Sequence, residues 1–258
     1  MTRKLDLMIA VVVVAGGLAV SGRLPRLAAG RAGGGGGVAV RALEPLFGAA
    51  PAPAFRTMRR VEILELTDTQ TGEHVYTVRE ANGWRSVVHE TARHLMPVPG
   101  GATAPALTIE TEMGGPLDLF RLTRGTEIRS AATAASESRV AEVSGVEGRL
   151  FPLAVGNHLR FEALEGGSVQ AGRLDRETAD RYVYEFTVTG VEDGWNQSTP
   201  AVPGPVYVID LQIKDPKYGE DQQFEVHYAP ALGAAVRVRT LGDAPPTDER
   251  LVSWEPAR

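Results

Sequence analysis

The chain has 258 residues, a formal net charge of -5 and a mean hydropathy of -0.11. This hydropathy excludes a protein with many membrane-spanning segments, and the mild negative charge excludes a broad basic surface for nucleic acid. Cysteine is absent, which excludes disulfides, thiolate metal sites, cysteine nucleophiles and the acylated cysteine of a bacterial lipoprotein. A folded region of about 200 residues can still bury enough apolar surface to be stable.

The N-terminus has the pattern of a segment that directs export. Arg3 and Lys4 precede an apolar run at residues 7–20. A helix of that length spans about 21 Å, short of the roughly 30 Å hydrocarbon core, which favours a signal peptide over a complete membrane span. Residues 19–21 read Ala-Val-Ser and offer a cleavage site. Residues 1–21 are therefore predicted to be a signal peptide, with an uncleaved signal anchor as the alternative.

Residues 22–54 are predicted to be a Gly/Pro/Ala-rich linker. Residues 33–37 are consecutive glycines, and residues 49–54 read Ala-Ala-Pro-Ala-Pro-Ala. Glycine runs maximise backbone freedom, whereas Pro/Ala sequence favours extended conformations. A phosphate-binding loop would need a lysine and a hydroxyl residue after its glycines, but Val-Ala-Val follows here. A β domain is predicted for residues 55–258, either as one unit or as two halves with a boundary near residue 148.

The rest of the chain has the pattern of β-strands separated by turn residues. Val61 and Ile63 lie in the first alternating run, and Asn82-Gly83 is a favoured hairpin dipeptide. The strongest strand signal is at residues 182–191, where β-branched and aromatic residues alternate with polar ones. Further strands are predicted at residues 74–78, 84–88, 106–112, 117–123, 126–130, 159–163, 206–213, 222–228 and 234–240, and residues 251–254 could end the sheet.

These spacings predict an all-β fold, either a sandwich or a barrel-like curved antiparallel sheet. Arg124-Gly125 is expected to form the turn of one hairpin. Helical windows are few. Residues 173–181 form the best of them, and residues 91–95 could form at most one helical turn.

Four segments of the second half resemble a group of secreted bacterial proteins of unknown function. Residues 150–157 read LFPLAVGN, residues 188–192 read VTGVE, residues 203–207 read PGPVY and residues 227–237 read HYAPALGAAVR. They match the group's FPLKVGN opening, a strand ending in V.G.E, a proline/glycine turn and a closing WYAP.VG.VVR.

The resemblance covers roughly residues 150–240, under half of the chain. The chain departs from the pattern at His227, where the group has an aromatic residue, and at an insertion of residues 195–198. The resemblance implies an extracytoplasmic domain with a curved sheet, similar to a lipocalin-like or lipoprotein-carrier-like open barrel. It implies no catalytic residue.

No catalytic residue, metal site or cofactor is predicted. His89 and His94 flank a glutamate, but a zinc metalloprotease helix needs histidines four residues apart. A separation of five places them about 140° apart around a helix and on opposite faces of a strand. We interpret both as exposed loop histidines. Ser144 lies in Val-Ser-Gly, which lacks the first glycine of a nucleophile elbow.

Aromatic residues are the candidate ligand-binding residues. Trp84, Trp195, Tyr207 and Tyr228, together with Trp254, could line an apolar pocket inside a curved sheet. A concave apolar face is the usual geometry of a carrier for lipophilic ligands. The alternative is that these residues serve core packing and cross-strand pairing.

We therefore expect a non-enzymatic periplasmic or envelope protein that binds a small apolar or lipid-like ligand or assists envelope assembly. The alternative is a scaffold or accessory subunit of an envelope complex, and an extracytoplasmic hydrolase is a third hypothesis. The expected location is periplasmic or extracellular, or anchored in the inner membrane facing the periplasm. Candidate partners are a lipid and an envelope protein, with no nucleic acid, and with membrane contact only through an uncleaved N-terminal segment.

Overall fold

The computed structural model describes residues 50–82, 85–95, 107–114, 122–130, 134–137, 140–166, 169–170, 173–174, 180–215, 220–242 and 246–257. Every regular element within these ranges is a β-strand. The described part of the chain contains no helix long and apolar enough to cross a membrane. The predicted signal segment and most of the predicted linker lie outside the described residues, so the division of the chain into these regions stays a prediction.

Fifteen strands follow one another along the described ranges. They are β1 (Phe55–Leu64), β2 (Thr69–Asn82), β3 (Arg85–His94), β4 (Leu107–Gly114), β5 (Leu122–Ser130), β6 (Ala134–Glu137), β7 (Val140–Gly148), β8 (His158–Gly166), β9 (Val169–Gln170), β10 (Arg173–Leu174), β11 (Asp180–Trp195), β12 (Val202–Asp215), β13 (Glu220–Ala229), β14 (Ala234–Leu241) and β15 (Thr247–Pro256).

Thirteen of these strands form one sheet in the order β6-β5-β4-β3-β2-β1-β15-β14-β13-β12-β11-β8-β7, and β9 and β10 form a separate hairpin. Neighbouring strands are antiparallel throughout. The predicted all-β class is therefore confirmed. The described strands form a single open antiparallel sheet and not the two packed sheets of a sandwich.

The sheet is curved, because its two edge strands are close in space. β6 and β7 lie at opposite edges, yet only two residues separate them along the chain. Consecutive Cα atoms are about 3.8 Å apart, so the end of β6 lies within about 11 Å of the start of β7. β5 also contacts β7. The edges approach each other without pairing.

β15 joins the two halves of the sheet. It pairs with β1 along nearly its whole length, whereas it pairs with β14 only at Arg237, Val238 and Arg239. Beyond these three residue pairs the two strands separate. The segment predicted to end the sheet, residues 251–254, therefore lies in its middle.

An ion-pair group strengthens this short contact. Arg237 donates two hydrogen bonds to Asp248 at 2.9 and 2.6 Å, and Arg250 donates another at 2.6 Å. Burial alone would raise the pKa of Asp248, but the hydrogen bonds and charges of Arg237 and Arg250 outweigh it and hold this pKa below its usual value. The carboxylate is thus ionised and links β14 to β15.

Two local sequence predictions are wrong, and a third is wrong at both ends of its segment. β5 continues through Arg124 and Gly125, where its pairing with β4 shifts in register, so no hairpin turn forms there. Residues 91–94 belong to β3 and do not form a helical turn. The window predicted as the best helix begins in β10 and ends in β11, and its residues 175–179 lie outside the described residues. Strand pairing overrides weak local helix propensity in these segments.

The register defines two faces of the sheet. Residues paired across antiparallel strands share a face, and one row crosses seven strands: Val188, Ile209, Val226, Val238, Glu249, Glu62 and Gly72. We call the face that carries this row the inner face and the opposite face the outer face. Along the inner face the row is apolar from β11 to β14 and acidic at β15 and β1.

Two apolar clusters fill the described core. The aromatic cluster consists of Leu150, Phe151, Leu159, Phe161, Ala163, Tyr182, Tyr184, Phe186, Val188, Ile209, Leu211, Phe224, Val226, Tyr228 and Ala235. The wedge cluster lies where β14 and β15 separate, and it consists of Phe55, Met58, Tyr76, Val88, Trp195, Val202, Val206, Ala229, Leu232, Ala234, Val236 and Leu251.

The chain enters the domain through close contacts at the turn between β13 and β14. Ala54 donates a backbone hydrogen bond to Leu232 at 2.9 Å, and Ala50 packs against the aromatic cluster. A Cβ on Gly233, whose φ is 66°, would lie 2.2 Å from the carbonyl oxygen of Ala52. Glycine is therefore required at position 233 both for its φ and for the passage of the entering chain.

We predict that Gly233→Ala destabilises the domain more than Gly156→Ala does. Both glycines have positive φ, but nothing lies within 4 Å of a Cβ on Gly156. Gly156→Ala should cost about 1–2 kcal/mol for its backbone conformation alone. Gly233→Ala should cost at least about 1 kcal/mol more, because Ala52 must also move. Urea unfolding of both variants measures the difference, and equal losses would contradict the close approach.

Candidate functional site: an ionic cluster on the inner face

The candidate site lies on the inner face of β1, β2, β3 and β15. In β1, Met58, Arg60 and Glu62 are buried, whereas Val61 and Ile63 on the outer face are half-buried. The alternation of β1 is thus real, but its charged residues and not its β-branched ones point into the core. Because side chains alternate along a strand, moving the buried set by one residue exchanges the two faces of the strand.

Arg60 is at one end of the cluster and is completely buried. Its Nη2 donates a hydrogen bond to the carbonyl oxygen of Ala235 at 2.5 Å, and its Nη1 lies 3.4 Å from Oε1 of Glu249. The guanidinium carbon lies 4.9 Å from the ring centroid of Tyr76, within the range of a cation–π contact. The Tyr76 hydroxyl also donates to Glu249 at 3.0 Å.

His74 is at the other end, between two carboxylates. Its Nδ1 lies 3.0 Å from Oε1 of Glu90, and its Nε2 lies 3.8 Å from Oε2 of Glu62. Thr71 donates its hydroxyl proton to Glu62 at 2.7 Å. The His74 ring stacks on Tyr76 with a centroid distance of 6.3 Å, so the two ends form one contiguous cluster.

Gly72 provides the space in which these groups meet. It is paired with Glu62 across β1 and β2. A Cβ at this position would lie 3.3 Å from Cβ of Glu62 and 3.5 Å from Nε2 of His74. Because Gly72 has no side chain, the His74 imidazole can approach the Glu62 carboxylate.

The surroundings of His74 keep its imidazole protonated at neutral pH. Burial on its own lowers the pKa of His74. The negative charge of Glu249 and the contacts with Glu62 and Glu90 outweigh burial and raise the pKa to about 10. Nδ1 then donates a hydrogen bond to Glu90, Nε2 faces the Glu62 carboxylate at 3.8 Å, and the described cluster holds the cations Arg60 and His74 against three carboxylates.

This arrangement is suited to holding charge and not to transferring protons. A general base needs a pKa near the working pH, and a protonated His74 cannot accept a proton at neutral pH. No group of three or more histidine, aspartate or glutamate residues in the described ranges has an arrangement that could hold a metal ion.

The predicted aromatic residues divide between two sites. Tyr207 and Tyr228 are cross-strand partners and pack in the aromatic cluster. Trp195 is buried in the wedge cluster, with its ring 6.2 Å from that of His227, and Trp254 packs against the same cluster. His227 and Tyr228 are consecutive on β13 and point to opposite faces.

The single apolar pocket expected from these residues therefore does not form among those that are described, because Trp195 and Tyr228 lie on opposite sides of β13. Trp84 lies outside the described residues. A ligand-binding role for any of the four residues stays a prediction.

His89 and His94 are not loop residues. Both belong to β3. His89 is half-buried.

Sequence reasoning missed the members of the ionic cluster. Arg60, Glu62 and His74 have the alternate spacing of a strand face, but charged residues at that spacing ordinarily indicate the solvent side. A usable signal was the strand pairing itself: a hairpin between β1 and β2 brings Arg60 opposite His74. Glu249 is close to them only because the last strand pairs with the first.

We predict that the stability contributed by His74 decreases as the pH rises. The pKa in the folded protein, about 10, exceeds the ordinary value of about 6.5. The contribution is thus complete below pH 6.5 and is lost as the pH approaches 10. The free energy of unfolding of the wild type relative to His74→Gln should fall by up to about 1.4 kcal/mol per pH unit in that window.

Urea unfolding between pH 6 and pH 9.5 measures this difference. His158→Gln, at the exposed start of β8, is the matched control and should run parallel to the wild type. A His74→Gln curve that also runs parallel to the wild type would contradict a protonated His74.

Comparisons with known proteins do not assign a family. No family model matches the chain, and no curated protein matches it. Among solved structures, the chain is similar to a Bacteroides fragilis protein inferred to be exported, which has a YmcC-like fold. The two are 13% identical, the match covers 79% of this chain and 99% of that chain, and the TM-score is 0.39.

Proposed function

We propose that this chain is an exported, non-enzymatic protein of the cell envelope that binds a lipid-like ligand on the inner face of its sheet. Export is supported by the basic residues and the short apolar run at the N-terminus. The observation that carries the ligand proposal is the inner-face row, which is apolar from Val188 to Val238 and acidic at Glu249 and Glu62.

A face divided in this way complements a molecule that has an apolar part and a polar part. Phe161, Tyr184 and Phe186 stack on the apolar half, with ring centroids 5.1 to 6.4 Å apart. Arg60 and His74 provide hydrogen-bond donors on the ionic half. Ligand sites are commonly apolar surfaces with a few placed polar groups.

The energetics of the ionic cluster also support a functional role. Burying an ion costs several kcal/mol, and well-packed apolar residues of similar volume often stabilise a fold at least as well as a buried ion pair. Arg60, Glu62, Glu90 and Glu249 are each less than 9% exposed. Buried, strongly perturbed ionisable groups cluster at functional sites.

Both halves of the inner face are covered in this structure, so ligand binding requires the domain to open. A groove with a volume of about 260 Å³ lies on the outer face, between Glu73, Val75, Thr91 and Arg93. A ligand that binds the open form more tightly than the closed form shifts the population towards the open form.

A scaffold or accessory subunit is the second candidate function. Val155 and Val191 are 56% and 53% exposed. They lie at the end of the sheet where the chain enters, since Gly156 donates a backbone hydrogen bond to Val188 at 2.8 Å. Exposed apolar residues near a tether would suit contact with an envelope partner.

We predict that the purified domain binds 11-(dansylamino)undecanoic acid through its inner face. Val226→Thr and Arg60→Gln change one residue in each half of the face, and Arg60 is a donor for the carboxylate of the probe, so each should weaken binding at least fivefold, a loss of about 1 kcal/mol. Val75→Thr and Arg93→Gln make the same changes on the outer face and should leave the dissociation constant unchanged. A fluorescence titration measures all four variants.

Native mass spectrometry of the protein purified from its own envelope provides the second readout. A co-purified lipid supports the ligand proposal. A protein partner without lipid supports the scaffold instead, and the ligand proposal is then abandoned. Equal weakening by inner-face and outer-face variants would also overturn it.

A further inference from the structure

The connection between β11 and β12 forms a strap, which we define as residues 195–202. Trp195 and Val202 are cross-strand partners at the base of the strap. Between them the chain leaves the sheet and reaches β15, where Thr199 pairs with Ser253 in a parallel bridge. The strap therefore crosses β13 and β14, which lie between β12 and β15 in the sheet.

The strap occupies the edge of β15 that β14 leaves. β14 pairs with β15 only up to Arg250. Two residues further, the amide of Thr199 donates to the carbonyl oxygen of Val252 at 3.0 Å, and the amide of Trp254 donates to that of Thr199 at 3.4 Å. The strap thus closes the gap that opens where the two strands separate.

Few interactions hold the tip of the strap, residues 196–201. Besides the two backbone bonds, the indole nitrogen of Trp254 donates to the carbonyl oxygen of Pro200 at 2.9 Å. Five of the six tip residues are exposed, the exception being Ser198. Three hydrogen bonds contribute about 3 kcal/mol in total, so release of the tip is within reach of thermal fluctuation.

The base of the strap is the route to the ionic cluster. Trp195 and Val202 pack in the wedge cluster with Met58 and Tyr76. The thioether of Met58 lies 3.7 Å from Nη2 of Arg60, and the Tyr76 ring lies beneath its guanidinium. A chain of direct contacts therefore connects the strap to the site on the inner face.

Glycines on either side of the strap permit it to move. Gly194 and Gly204 have φ angles of 75° and 81°, a region that other residues rarely adopt. The pairing of β11 with β12 is also irregular twice, between Val188 and Gly190 and between Asp193 and Trp195. These irregularities lie between the strap and the regularly paired part of β11 and β12.

We propose that the strap is a movable closure. Its release from β15 opens a path between β14 and β15, through which the lipid-like ligand of the proposed function reaches the inner face. The inference rests on that proposed function for the identity of the ligand, whereas the movement of the strap is independent of it.

A disulfide lock tests the closure, and the chain has no cysteine of its own to interfere. Thr199→Cys with Ser253→Cys joins two bridged residues, whose separation is within the reach of a disulfide. The oxidised protein should take up 11-(dansylamino)undecanoic acid at least tenfold more slowly than the wild type in stopped-flow fluorescence, and reductant should restore the rate.

The matched control is Gln212→Cys with Gln223→Cys, a bridged pair in β12 and β13 away from the strap. Its uptake rate should not depend on oxidation. Trp254→Phe removes one of the three bonds that hold the tip and should accelerate uptake several-fold, which gives a second test if the lock does not form.

Hydrogen exchange separates failure of the closure from failure of the ligand proposal. The amides of Thr199 and Trp254 should exchange at least a hundredfold faster than those of Phe186 and Val226 in the core strands. Uptake by the locked protein at the wild-type rate overturns the closure and leaves the ligand proposal intact. If no variant binds the probe, the ligand proposal fails, and slow exchange at Thr199 and Trp254 would overturn the closure as well.

Discussion

The pairing of the last strand with the first is the constraint on which the rest of the structure depends. β15 is bound along its length to β1 but only at three residues to β14. Strands β1 to β6 and strands β7, β8 and β11 to β14 thus become one sheet through β15, the last of the described strands. Because β15 comes after all the strands that it joins, the sheet can be completed only when the whole domain is present.

The separation of β14 from β15 accounts for both the buried ionic cluster and the strap. At the start of β14 the carbonyl oxygen of Ala235 accepts a hydrogen bond from Arg60 of β1, although β15 lies between these two strands in the sheet. The space left beside β15 is filled by the wedge cluster and closed by residues 195–202. A fully paired β14 would leave neither the gap nor that partner for Arg60. The ionic cluster and the strap thus have a common structural origin.

The sequence predicted the class of fold well and the site poorly. Residues 182–191 were recognisable as a strand because their β-branched and aromatic residues alternate with polar ones, and β11 contains them all. Arg124-Gly125 was misread as a turn because a glycine signals a turn only when the neighbouring strand does not pair across it, and β4 pairs with both sides of it. Val61 and Ile63 marked the alternation of β1 but not its buried face, since alternation separates two faces without saying which one is buried.

The sequence by itself determined the all-β class, the positions of most strands and the absence of any cysteine chemistry, because these follow from local periodicity and composition. Only the tertiary structure decided which face of β1 is buried, because Arg60 and Glu62 tolerate burial only with partners from β2, β14 and β15. It also decided that the predicted aromatic residues divide between two clusters, since Trp195 and Tyr228 lie on opposite sides of β13. Such placements depend on contacts between residues far apart in the chain, and no local pattern encodes them.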